Sequence, residues 1–75
     1  MQKIDKERLA QSIGKHIERR CMELKMTHKQ LAMQTGITEA GVSRYVTGQR
    51  LPRLDILLTM ADVLNCSVDY LLFGV

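Results

Sequence analysis

At 75 residues, 45% hydrophobic, 25% charged and with a net charge of +3, the sequence holds one small domain with enough apolar surface to fold, which excludes a disordered segment. No apolar run approaches the roughly 20 residues that cross a bilayer, the start MQKIDKERLAQ lacks a signal's apolar stretch, and Cys21 and Cys66 have no zinc spacing; a cytoplasmic chain with reduced thiols, no metal and no membrane contact is expected. Charge is uneven: residues 1–26 carry seven Lys/Arg and four Asp/Glu, residues 27–53 four and one, and residues 54–75 none and three, so an anionic partner would approach the first two thirds.

With no strand alternation and no repeat, the pattern is all-α: a compact bundle of five helices over about 5–25, 28–35, 39–47, 53–65 and 68–73. Helix one places Leu9, Ile13, Ile17, Cys21 and Leu24 on one stripe. Gly14 inside it costs about 1 kcal/mol relative to alanine, which points either to close packing there or to a tolerated defect. Thr27 opens helix two, with Gln30 completing a capping box and Met26 and Leu31 forming a hydrophobic staple. Gly36 ends that helix; Thr38 opens the third, stapled by Ile37 and Val42, and Gly48 ends it. After the loop GQRLPR comes helix four, and Ser67, between Cys66 and Leu71, opens helix five.

Helix four can bury Leu54, Leu57, Leu58, Ala61 and Leu64, which leaves Ile56, Met60 and Val63 over; helix five can bury Val68, Leu71 and Leu72, which leaves Tyr70, Phe73 and Val75. A helix apolar all round in so small a domain must cover its second face. Those six residues are therefore expected to form a homodimer interface.

Helices two and three are joined by only Gly36, Ile37 and Thr38, a link too short for side-by-side packing and suited to a steep crossing. Ala32 lies four residues before the turn glycine and Val42 six after it, with Leu31, Ile37 and Tyr45 as further inward residues. This is the pattern of a helix-turn-helix over residues 28–47. Val42, Tyr45 and Val46 share one face of helix three, so Glu39, Ala40, Ser43, Arg44 and Thr47 face out. Such a face suits the major groove: arginine reads guanine, glutamate accepts from cytosine, alanine touches a thymine methyl, and serine adapts. Glu39, Ala40, Ser43 and Arg44 are the expected base-reading residues, although Glu39 also stabilises a helix start with no DNA present. Phosphate contacts are expected at Thr27, His28, Lys29 and Thr38 near the helix starts, and at Thr47, Gln49, Arg50 and Arg53 after helix three.

Across IGKHIERR, MTHKQLAMQTGITEAGVSRYVTG and RLPRLDILLTMADVLNCSVDYLLFG, about residues 13–74, the sequence resembles the phage lambda repressor and Cro family of XRE-type helix-turn-helix proteins. The resemblance implies a five-helix domain whose third helix reads double-stranded DNA, usually as a homodimer on a palindromic operator, hence a transcriptional regulator with repression as its expected sense. From the residues themselves no cofactor or small-molecule ligand is expected, and since the sequence shows no sensory module, control through dimerisation at the protein's own concentration is the expectation. Two departures stand out. His28 replaces the family's usual glutamine, which holds a phosphate and buttresses the reading helix. Cys21 and Val46 replace an arginine and a glutamate that pair in many members; both being apolar, they are expected to touch in the core.

An enzyme is not expected, because no carboxylate is spaced to orient His16 or His28, Cys21 falls on the core stripe, and no glycine-rich phosphate loop is present. The alternative function is an antitoxin-type or other protein-binding module that uses the apolar C-terminal helices.

Overall fold

Helix starts in this chain are set by side chains that satisfy free backbone donors. Asp5 accepts from the N–H groups of Glu7 and Arg8 at 3.1 and 3.2 Å, Thr38 from Gly41 at 2.9 Å, and Ser67 from Tyr70 at 3.0 Å. Thr27 and Gln30 form the reciprocal capping box, Thr27 Oγ1 accepting from the Gln30 N–H at 3.1 Å and Gln30 Oε1 from the Thr27 N–H at 2.8 Å. In a computed structural model that describes residues 3–75, these caps open α1 (Lys6–Leu24), α2 (His28–Thr35), α3 (Glu39–Val46) and α5 (Val68–Phe73), while α4 (Leu54–Val63) begins after Arg53 with no side-chain cap. The described residues are all-helical, and each boundary falls within two residues of its expected place.

Helix α1 packs on α3 and α5, α2 on α3 and α4, and α4 on α5. The core between them draws Ile13, Ile17 and Cys21 from α1, Leu31 and Ala32 from α2, Val42 and Tyr45 from α3, Leu57, Met60 and Ala61 from α4, then Leu64 and Leu71. No polar or charged residue among those described is buried, so the hydrophobic effect drives assembly without a desolvated charge. Cys21 is part of this core and Val46 packs against it, half-buried.

Side chains of α1 also close the ends of the two C-terminal helices. Arg20 donates from Nε to the Leu64 carbonyl at 2.8 Å and from a terminal nitrogen to Asn65 at 3.2 Å. His16 Nδ1 lies 3.0 Å from the Leu71 carbonyl, and since a carbonyl only accepts, Nδ1 carries the proton. Carbonyls left open at a helix end are thereby paired with cationic or donor groups.

Three expectations about faces need correction. Leu24 lies at the exposed edge of α1 and not in the core. On α4, Leu54 and Leu58 are 69% and 51% exposed, whereas Met60 is fully buried. Leu57, Met60, Ala61 and Leu64 follow the i, i+3, i+4, i+7 spacing of a single stripe; Leu54 and Leu58 lie off it. The two apolar stripes of α4 are equivalent by period, and contact with α2 and α5 selects the one that contains Met60.

Candidate nucleic-acid interface

The geometry of α3 follows from how it is held. Val42 is completely buried and Tyr45 nearly so, which fixes the helix by its inner face. Gly14 in α1 allows the end of α3 to approach until a β-carbon on that glycine would meet the carbonyl oxygens of Tyr45 and Val46. The turn before α3 is made by Gly36 at φ 74°, whose N–H returns to the Ala32 carbonyl, and a β-carbon on Gly41 would press on Ile37 and Thr38. A rigid element with one anchored side results.

Its other side carries Glu39, Ala40, Ser43, Arg44 and Thr47, all exposed. Neither Glu39 nor Arg44 belongs to an ion pair among the described residues, so neither charge is spent inside the molecule. Thr47 differs: its hydroxyl donates to the Ser43 carbonyl at 2.8 Å, so it has only lone pairs left to offer and cannot donate to a phosphate in this rotamer. Thr38 and Thr27 use their oxygens as acceptors in the caps and keep a free O–H each.

At the start of α2 the expected free donors are fewer than the sequence suggested. The Thr27 N–H is taken by Gln30 and the Gln30 N–H by Thr27. His28 and Lys29 are left as the first two helical residues, whose N–H groups have no intrahelical partner. Gln49, Arg50 and Arg53 are exposed after α3; Arg53 reaches Asp55 at 3.4 Å, a solvent-open pair that holds it weakly. Arg50 and Lys29 are in no ion pair among the described residues.

Sequence reasoning missed a partner for His28. Its Nε2 lies 2.8 Å from Glu18 Oε2 of α1, with both side chains partly exposed. No local spacing signals this pair, because Glu18 lies ten residues upstream on another helix.

The residues expected at a homodimer interface are not all on the surface. Met60 is core and is removed from that set. Ile56, Val63 and Tyr70 are half-buried and already packed against the core. Phe73 and Val75 are 65% and 82% exposed. Leu54 and Leu58 belong with them as exposed apolar residues.

Neither cysteine is poised as a nucleophile. Burial, then the nearby Glu18 charge, pushes the Cys21 thiol up to about 11, and burial also raises Cys66, so both stay protonated near neutral pH. Among the described residues no three His, Cys, Asp or Glu side chains cluster as metal ligands, and no helix is long and apolar enough to cross a membrane.

Comparison with known proteins bears on the same segment. The helix-turn-helix family model matches residues 17–71. The chain is 31% identical over 64 residues to the repressor protein C2 of Salmonella phage P22, covering 85% of this chain and 30% of that protein. It is 35% identical over 63 residues to the HTH-type transcriptional regulator DicA of Escherichia coli, covering 84% and 47%. The chain thus spans less than half the length of these relatives. Among solved structures, the P22 c2 repressor in complex with a synthetic operator superposes with a TM-score of 0.81 at 31% identity, over 87% of this chain and 98% of that one. The restriction-modification controller protein C.AhdI from Aeromonas hydrophila matches the fold at a TM-score of 0.79 and 21% identity, over 83% and 94%. With its two-helix unit, its five-helix frame and a family match over most of its length, the chain belongs to the XRE-type helix-turn-helix family of DNA-binding transcription regulators.

Proposed function

We propose that this chain is a sequence-specific repressor of transcription, a single domain that places α3 in the major groove of a palindromic operator as a homodimer in the cytoplasm. The observation that carries the reading is the division of α3 between a locked inner face, Val42 and Tyr45, and an outer face of Glu39, Ala40, Ser43 and Arg44. Rigid presentation of short polar groups and one long cation is what base-edge recognition requires. The likeness to a repressor solved with operator DNA supports the partner class.

In this reading Arg44 reads a guanine and Glu39 a cytosine, while the His28 and Lys29 N–H groups, Thr27, Thr38, Gln49, Arg50 and Arg53 hold phosphates on either side. Two copies meet through Phe73, Val75, Leu54 and Leu58, flanked by Ile56, Val63 and Tyr70. This sets the acidic residues of α4 and α5 away from DNA and the two reading helices about one turn, roughly 34 Å, apart. No catalytic step is involved.

Selection of bound sites from random DNA tests the function. The expected product is an inverted repeat, and with Arg44→Ala the preference at one base pair per half-site relaxes by about 1 to 3 kcal/mol. Uniform weakening across all sequences would reassign Arg44 to a phosphate. The competing reading, a module that binds another protein through the exposed apolar residues near the C-terminus, requires a logarithmic salt dependence near zero, whereas several phosphate contacts require a steep negative one.

A further inference from the structure

We propose that Glu18 is a positioning residue for the phosphate contact of His28 and couples DNA binding to the uptake of one proton. The inference rests on the DNA-binding reading above and adds a linkage that reading does not contain. Its basis is the 2.8 Å bond between Glu18 Oε2 on α1 and His28 Nε2 at the first position of α2.

A carboxylate accepts and does not donate, so the bond places a proton on Nε2. In a neutral imidazole the other nitrogen, Nδ1, is then a lone pair. A phosphate oxygen also presents only lone pairs, so Nδ1 and a phosphate repel each other until the ring takes up a second proton. Once it does, Nδ1–H donates to the phosphate, while Nε2–H still donates to Glu18. The charge of the pair changes in the same sense, from −1 with a neutral ring to zero with imidazolium. Both effects favour the protonated ring beside DNA. The glutamate orients the ring and fixes which nitrogen is left for DNA, as a carboxylate partner fixes the tautomer of a metal-bound histidine.

Charged or titratable groups on the elements that meet here include Arg19, the Cys21 thiol and Glu23 of α1, Lys25 in the turn, Lys29 of α2, Glu39 and Arg44 of α3, and Asp55 and Asp62 of α4, which packs on α2. Of these, the buried Cys21 thiol stays protonated. Among the carboxylates of the described residues, Glu18 is the one bonded to the His28 ring. His16, the second histidine, is bonded to Leu71 of α5.

Linkage gives the sign. The DNA complex binds more protons at this site than the free protein, so affinity is highest at acidic pH and is lost as pH rises through the interval in which histidines change charge, about 5 to 8. Uptake of one proton gives about a tenfold change in affinity per pH unit at the steepest point.

The experiment is fluorescence anisotropy of a labelled duplex recovered by selection, and of a random-sequence duplex at low salt, at half-unit steps from about pH 5.5 to 8.5. The full 75-residue chain, His28→Gln, Glu18→Gln, His16→Gln and Glu39→Gln are compared. Nitrogen-15 shifts of the imidazole rings are read in the free protein. Expected are an Nε2–H tautomer at His28, a fall of tenfold or more in wild-type affinity across the range, and a flat profile for His28→Gln with tighter binding than wild type at the alkaline end. Glu18→Gln moves the profile to lower pH, whereas His16→Gln and Glu39→Gln keep the wild-type slope. A duplex that binds wild type with no pH dependence overturns the proton linkage and leaves the DNA reading standing. A slope that survives in His28→Gln, or an Nδ1–H tautomer, overturns it as well. Failure of every duplex to bind at any pH removes both.

Discussion

Gly14 of α1 lies directly against the carbonyl of Tyr45 in α3, with no room between them for a methyl group. This contact joins the longest helix to the end of α3, and what it meets is backbone, which cannot swing aside as a side chain can. Gly14→Ala gains up to about 1 kcal/mol of helix propensity but overpacks the interface, at a typical cost of about 1 to 3 kcal/mol. A net loss of stability is expected in urea unfolding, together with weaker DNA binding as α3 is displaced. An alanine variant as stable as wild type would mean that the helices separate freely at this point.

Lys25 ends α1 in the left-handed region at φ 55°, and Asn65 does the same after α4 at φ 52°. For a lysine that conformation costs about 1 to 2 kcal/mol, while asparagine tolerates it better. Lys25→Gly is expected to raise stability by about 0.5 to 1 kcal/mol, the steric gain being partly offset by the greater freedom of glycine in the unfolded chain. Asn65→Gly should gain less. Thermal unfolding of the two variants side by side gives the comparison, and equal or reversed gains would refute the ordering.

The hydroxyl of Tyr70 is buried without a hydrogen-bond partner among the described residues, while its ring rests at 5.7 Å, tilted, against His16. Desolvation of an unmatched hydroxyl costs about 1 to 3 kcal/mol, and phenylalanine keeps the ring contact without that cost. Tyr70→Phe is therefore expected to stabilise the domain by about 1 kcal/mol, seen as a rise of several degrees in Tm. A fall in Tm would show that the hydroxyl finds a partner in solution.

Leu58 and Met60 stand two residues apart on α4 with opposite fates, one half exposed and the other completely buried. Leu58→Asp is expected to leave circular dichroism unchanged while sedimentation shifts toward monomer and operator affinity drops. Met60→Asp places a carboxylate in the core and should unfold the domain, since an unpaired buried charge costs several kcal/mol or more. If Leu58→Asp and Leu54→Asp both leave a dimer intact, helix four does not form the interface.

Much of the frame was legible from local chemistry. Thr38, Ser67 and the Thr27–Gln30 box cap their helices in the structure, because a cap involves residues two or three apart and needs nothing from the rest of the fold. The inner face of α3 was legible for a related reason: Val42 and Tyr45 were the apolar positions available at helical spacing, so periodicity admitted one answer. The link through Gly36, Ile37 and Thr38 likewise makes α2 and α3 neighbours, and they pack on each other in the structure.

What the tertiary structure alone decided lies between elements distant in sequence. Arg20 closes the end of α4 from 44 residues away, and Glu18 holds His28 from another helix; neither leaves a mark on local periodicity. On α4 the sequence offered two apolar stripes of equal regularity, one through Leu54 and Leu58 and one through Met60. Side-chain period is a property of one helix and cannot rank its faces when both are apolar. The choice is made by which face removes more surface from water against α2 and α5, and that quantity exists only once those helices are in place.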